Sequence, residues 1–262
     1  MPELDDSGDT ALLEAAVRQA GALARTFLTG QNKIRSKPDG SPVSEADLAV
    51  DRFLTERLRP ARPDYAWLSE ETADDPARLV ARRVFIVDPI DGTVAFLKGR
   101  PHFTIVAAVV EGEIPIAAAV YNPLTEECFT AVKDRGAWLN GAPIRVSGRD
   151  RLEGCRMLAS KSTLQNPCWG GAPWPPMTVE TPNSMAYRVA LVACGAFDAS
   201  VSLSPTHDWD LAAADLIVQE AGGLISSHEG TILRYNRVST VQPSVVAAGR
   251  ALHEAILSRV KS

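Results

Sequence analysis

Two apolar runs near the middle of the chain, residues 103–110 and 114–121, are separated only by Glu111-Gly112-Glu113. Runs of this length, rich in Val, Ile and other residues that suit a pleated surface, read as strands. A three-residue connection containing glycine can join them only as an antiparallel hairpin. The centre of the fold is therefore an antiparallel sheet. Residues 128–132 and 144–147 read as further strands of the same meander, and residues 84–87 as a short buried strand that ends ahead of Asp88 and Pro89.

The flanks follow another period. Leu12, Leu13, Ala16, Val17, Ala20, Leu23, Ala24 and Phe27 recur at helical spacing, which predicts an amphipathic helix over residues 9–30. Residues 31–43, with Lys37-Pro38-Asp39-Gly40, read as a loop, and a second helix is expected from Ser44 to about Arg59. Later, strands near residues 156–160, 197–201 and 244–248 alternate with helices over 184–194, 210–221 and 251–261, with an irregular Pro/Gly/Trp stretch at 166–176. Gly222-Gly223 suits the cap that ends the helix over 210–221. The expectation is a mixed α+β then α/β chain, with one half at residues 1–148 and the other at 149–262.

Hydrophobic residues make up 45% of the 262, enough for a large core. The net charge of −5 is the opposite of the basic surplus of a nucleic-acid binder. An anionic substrate would then need positive charge from another source, and a metal cluster would supply it. No apolar run reaches the roughly 18 residues of a membrane span. The N-terminal MPELDDSGDT lacks the basic and apolar regions of a signal peptide, so a cytoplasmic protein with no membrane or nucleic-acid partner is expected. The four cysteines show no C-x-x-C spacing and read as free thiols.

The segment richest in chemistry is Asp88-Pro89-Ile90-Asp91-Gly92-Thr93. It ends a buried strand with two carboxylates three residues apart. Such a pair suits hard divalent cations, which take oxygen ligands. Gly92 permits a tight turn, and Thr93 can cap a short helix whose N–H groups would receive a phosphate. Read alone, the segment fits a metal site or an Asp-rich capping turn equally well. Glu70-Glu71 alone reads as a solvated turn, and His207-Asp208-Trp209-Asp210 alone as a capped helix start. Ser44-Glu45-Ala46-Asp47 is a variant capping box with Asp in place of Glu or Gln.

Taken together and in this order, Glu70-Glu71, Asp88-Pro89-Ile90-Asp91-Gly92-Thr93, and Trp209-Asp210 followed by Glu220-Ala221-Gly222-Gly223 resemble the inositol monophosphatase superfamily over roughly residues 10–255. The resemblance implies a layered αβαβα sandwich, commonly a homodimer, and a phosphatase using two or three Mg²⁺ ions on a small phosphorylated metabolite. It implies that Glu70, Asp88, Asp91, Asp210 and the carbonyl of Ile90 hold the metals. Gly92 and Thr93 would hold the phosphate, and Asp47, Thr93 and Glu70 would be catalytic, with Thr93 and Asp47 orienting and deprotonating the attacking water. Lys37 matches a position near the metals. The scattered histidines make no cluster, and His207 reads as structural.

For the leaving group, an acid some seven residues before Asp210 would bind inositol hydroxyls in this family, and Leu203 stands there instead. Ser41-Pro42-Val43, Leu68-Ser69-Glu70-Glu71, Ser160-Lys161-Ser162 and Ser204-Pro205-Thr206 resemble the 3′(2′),5′-bisphosphate nucleotidase branch, whereas Val94-Ala95 and Ile90 depart from it. The resemblance thus leans slightly to a nucleotide and leaves inositol 1-phosphate, histidinol phosphate and other sugar phosphates open. Lys161, Asn183, Ser184 and Leu203 are the expected substrate-selecting residues, with Lys161 and Trp169 as partners for a second phosphate or a base. A non-catalytic binding protein on the same fold is the reading of another class. All six expected site acids and hydroxyls are present, which favours an enzyme.

Overall fold

A computed structural model describes residues 6–28, 34–36 and 42–260. The chain opens with α1 (Asp6–Phe27), β1 (Ile34–Ser36), β2 (Pro42–Ser44), α2 (Glu45–Leu58) and β3 (Ala66–Ser69). β4 (Arg83–Asp91) leads into α3 (Thr93–Leu97). A meander of β5 (Thr104–Glu111), β6 (Ile114–Asn122), β7 (Glu127–Val132), β8 (Gly136–Leu139) and β9 (Ala142–Pro143) follows. Then come β10 (Arg156–Leu158), α4 (Lys161–Leu164), β11 (Thr178–Glu180), α5 (Met185–Ala193), β12 (Ala199–Ser202) and β13 (Thr206–His207). The chain closes with α6 (Asp208–Glu220), β14 (Gly223–Ser226), β15 (Val241–Gln242), β16 (Val245–Gly249) and α7 (Arg250–Leu257).

The seven-stranded sheet runs β3 to β9 in chain order, with β3 and β4 parallel and every other pair antiparallel. The five-stranded sheet has the order β11-β10-β12-β16-β14. Helices α1 and α2 cover one face of the large sheet, and α5 and α6 fill the space between the two sheets. Helix α7 covers the far face of the small sheet, so the layers read αβαβα. This arrangement explains the unbroken apolar runs. In β4, Val84 and Ile86 pack toward α5 and α6, while Phe85 and Val87 pack toward α1 and α2. A strand buried on both faces has no polar side to alternate.

Three local expectations need correction. Residues 144–147 are not a strand. The chain leaves the sheet edge after Pro143, and the Val146 N–H donates to the Ala221 carbonyl at 3.1 Å, tying this connector to the end of α6. Part of the expected loop over 31–43 is a two-stranded ribbon, β1 with β2. The helix expected over 210–221, α6, begins at Asp208 in place of Asp210. At its other end Gly222 takes φ +85°, the left-handed cap that its sequence predicts, and Gly223 opens β14 directly.

Candidate active site

The site starts from an irregularity in β4. Asp88 lies opposite Val106 and Asp91 opposite Thr104, so three steps on β4 match two on β5. Pro89, which has no N–H for the ladder, sits in this bulge. The Ile90 N–H turns back to Oδ1 of Asp88 at 3.0 Å. Gly92 follows at φ +92°, where a Cβ would lie 2.7 Å from the His102 carbonyl oxygen, so a larger residue would strain this turn. Gly92, not Thr93, is the cap of α3. Thr93 stands one position further on, and its hydroxyl faces the Ile90 carbonyl at 3.2 Å and Oδ1 of Asp47 at 3.3 Å.

Asp91 is held by the start of α5. Ser184 Oγ donates to its Oδ2 at 2.6 Å, the Ala186 N–H to Oδ2 at 2.7 Å and the Met185 N–H to Oδ1 at 3.2 Å. Asp210 sits in the first turn of α6, where its Oδ2 accepts the His207 N–H at 2.8 Å. His207 stacks on Trp209 at 4.4 Å, a rim packing contact. Asp88, Asp91 and Asp210 thus arrive from two distant segments, and each offers a carboxylate oxygen within 4.8 Å of the others.

Asp47 is buried and divides its oxygens. Oδ2 accepts from the N–H and Oγ of Ser44 at 2.8 and 2.6 Å, closing the capping box, and Oδ1 faces Thr93. Glu70 is half-buried after β3, its N–H on the Val87 carbonyl at 3.3 Å. It lies outside the tight group of three acids. The hydroxyls of Ser69 and Thr72, on either side of it, donate to the two oxygens of Asp51 at 2.5 and 2.9 Å. Asp51 is one helical turn after Asp47, so α2 presents one carboxylate to Thr93 and another to the segment bearing Glu70.

Electrostatics mark the same place. Burial, then repulsion from Glu70, Asp91 and Asp210, pushes the Asp88 carboxyl well above the ordinary range. Burial and the charge of Asp91 do the same for Asp210. Burial raises Asp91 to about 6 against the pull of Ser184 and the α5 N–H groups, and burial also raises Asp47. The Oδ2 atom of Asp88 is buried with no hydrogen-bond partner among the described residues. An orphaned carboxylate oxygen in an all-oxygen cluster of like charges fits a hard divalent cation.

The expected substrate residues scatter. Lys161 is exposed in the first turn of α4, and Asn183 is exposed beside the buried Ser184, whose hydroxyl is engaged with Asp91 and Thr104. Leu203 is half-buried and packs on the cluster containing Val201 and Trp169. Trp169 is itself buried, with its Nε1 on the Thr163 carbonyl at 2.7 Å, so its ring is core and offers no face to a base. Lys37 lies outside the described residues.

The family profile described as "Inositol monophosphatase family" matches residues 5–262. The chain belongs to the inositol monophosphatase family. It is 35% identical to the inositol-1-monophosphatase of Rhizobium meliloti over 228 residues, covering 84% of this chain and 85% of that one. It is 29% identical to the 3′(2′),5′-bisphosphate nucleotidase CysQ of Aggregatibacter actinomycetemcomitans, covering 87% and 88%. Its fold matches the extragenic suppressor protein suhB of Bartonella henselae with a TM-score of 0.84 and 26% identity, over 97% of this chain and 99% of that one. This inositol monophosphatase family member is a phosphatase, a hydrolase of phosphomonoesters. The family is Mg²⁺-dependent in general, and the acidic cluster can bind metal. No helix among the described residues is long and apolar enough to cross a membrane.

Proposed function

We propose that the chain hydrolyses a small bisphosphorylated nucleotide of the 3′(2′),5′ type, with Mg²⁺ held by Asp88, Asp91, Asp210, Glu70 and the Ile90 carbonyl. The observation that carries the metal-dependent reading is the convergence of the carboxylates of Asp88, Asp91 and Asp210, together with a buried Oδ2 of Asp88 that has no hydrogen-bond partner among the described residues. These residues would hold two or three Mg²⁺ ions, which would supply charge neutralisation for the ester and a lowered pKa for water. The protein's own part is orientation and proton handling. Thr93 positions water through its hydroxyl, Asp47 receives the proton, and the N–H groups of Gly92 and Thr93 receive the phosphate. Burial helps, because a carboxylate raised above its ordinary range is a better base near neutrality.

The leaning toward a nucleotide rests on Leu203, which leaves no acid for inositol hydroxyls, and on the strings Ser41-Pro42-Val43, Ser160-Lys161-Ser162 and Ser204-Pro205-Thr206, the second of which holds the exposed Lys161. Inositol 1-phosphate is the second reading, favoured by Ile90 and by the relative at 35% identity. A homodimer is the expected assembly. The test is phosphate release from 3′-phosphoadenosine 5′-phosphate and inositol 1-phosphate in parallel, with Mg²⁺ and with EDTA. A Mg²⁺-dependent preference of about tenfold, roughly 1.4 kcal/mol, for the nucleotide supports the first reading. The reverse preference supports the second. No release from either or from other phosphomonoesters would leave only a binding role.

A further inference from the structure

A buried polar chain outside the carboxylate cluster joins the segment that carries Glu70 to the helix that carries Asp210. Arg78, in the 3-10 turn Pro76–Val80, is 1% exposed and is the largest fully enclosed side chain among the described residues. Its Nε and one terminal nitrogen grip Asp74 at 2.6 and 3.0 Å. Its other terminal nitrogen donates to Oδ1 of Asn236 at 2.9 Å. Asn236 returns its Nδ2 to the Arg78 carbonyl at 3.3 Å, and its backbone N–H donates to Oδ2 of Asp208 at 2.9 Å. Asp208, itself buried, takes Gln242 Nε2 on its other oxygen at 2.8 Å. Asp208 is the first residue of α6, two before Asp210.

A buried guanidinium is a costly way to fill space, since apolar side chains of similar volume commonly serve stability as well or better. What the guanidinium adds is a planar fork that fixes several partners at set angles. Here it fixes the turn after Glu70 against the start of α6. Asn236 takes φ +56°, a left-handed backbone that non-glycine residues rarely adopt, and from there it reaches Asp208 with its N–H and Arg78 with its side chain. On the opposite flank Asp51 pins Ser69 and Thr72. The segment bearing Glu70 is thus tied on both sides to helices that carry other site residues.

We infer that Arg78 and Asn236 are positioning residues for the metal centre, forming a latch that sets Glu70 relative to Asp210. The inference rests on the metal-dependent reading above. Asn236→Gly loosens the latch, because glycine tolerates the left-handed backbone and keeps the N–H bond to Asp208 while deleting both side-chain bonds to Arg78, which is left with only the Arg237 carbonyl at 3.0 Å on this loop. Arg78→Lys keeps the charge but loses the fork. Ser226→Ala, which removes a buried hydrogen bond to His253 from the five-stranded sheet, is the control for general loosening. Mg²⁺ alone is titrated calorimetrically into each protein, with folding verified by circular dichroism. Asn236→Gly is expected to weaken Mg²⁺ binding by about tenfold or more, with turnover recovered in excess Mg²⁺ and Ser226→Ala binding as wild type. Arg78→Lys should also weaken binding, and it carries the test should Asn236→Gly not fold. Wild-type affinity in the folded latch variants would overturn the inference, as would equal weakening in Ser226→Ala. A wild-type protein that bound no Mg²⁺ would instead overturn the metal reading and take the latch with it.

Discussion

The Thr93 hydroxyl lies 3.3 Å from Oδ1 of Asp47, across 46 positions of sequence, while Oδ2 of the same carboxylate closes the cap of α2. One side chain therefore serves a structural and a chemical purpose, and a substitution can separate them. Asparagine keeps one acceptor oxygen for Ser44 but turns an NH₂ toward Thr93. Asp47→Asn is expected to lower kcat by about 10²–10⁴, the usual worth of a general base. Its stability should change by no more than about 1 kcal/mol, the scale of a cap. Initial rates and thermal unfolding read the two effects apart. Wild-type turnover would remove Asp47 from the chemistry.

Asp91 gives a sharper case. The sequence places it at a turn, but the structure buries it against the α5 N-terminus, with Ser184, Met185 and Ala186 donating to it. Asp91→Asn should abolish turnover, since it removes charge from the cluster. The metal-free variant should nonetheless lose little stability near pH 8, because relief of repulsion among the buried carboxylates offsets the cost of the N–H or O–H donor at the start of α5 that then faces an NH₂ group. Its Tm should also rise less with added Mg²⁺. Retained turnover, or an unchanged Mg²⁺ response, would displace Asp91 from the ligand set.

The same repulsion sets a pH dependence. Asp91 titrates near 6 when folded, and Asp88 and Asp210 are displaced in the same direction. A raised carboxyl means that the metal-free folded state binds more protons than the unfolded chain, whose aspartates titrate near 3.9. This contribution to stability is fully present below about 4 and is lost as pH rises through about 6. Mg²⁺ reverses the trend, since it binds the ionised form and competes with protons. The Tm gain from a fixed excess of Mg²⁺ should therefore be larger at pH 8 than at pH 5. A gain independent of pH would show that these carboxylates are not the ligands.

Much of this site is written in local patterns. Asp88, Asp91 and Thr93 stand in one hexapeptide, and Asp210 stands in the first turn of a helix that is apolar nearly all round from Leu211 to Val218. The meander is readable because its connections are too short for any other pairing. Other features depend on contacts that no window contains. Strand β3 has only four residues and is a strand because β4 lies beside it. Residues 144–147 carry a β-like composition, yet only the Ile144 N–H still reaches β8, at the Ala137 carbonyl, while the Val146 N–H goes to the end of α6. Asp51, Arg78, Asn236 and Asp208 look like ordinary polar residues until the fold brings them together. Two of them carry a faint signal, Asp51 as a second acid one turn after Asp47 on a helix and Asp208 within the acidic start of α6.

Substrate choice supplies the last prediction. Leu203 follows β12 and leads toward Thr206, and it packs half-buried on the cluster beneath the small sheet. Replacing it with glutamate exposes some apolar surface, at a cost below the roughly 1.5–3 kcal/mol of a fully buried leucine. That loss lowers the folded fraction and scales both activities alike. The ratio of kcat/KM for inositol 1-phosphate to that for 3′-phosphoadenosine 5′-phosphate is insensitive to it. A new carboxylate that accepts hydrogen bonds from sugar hydroxyls and repels a second phosphate should move this ratio toward inositol phosphate by about tenfold, or roughly 1.4 kcal/mol. An unchanged ratio in folded Leu203→Glu would mean that the loop before Asp210 does not select the leaving group. Selection would then fall to the exposed segment around Lys161, and Lys161→Ala, measured by the same ratio, would be the next variant to make.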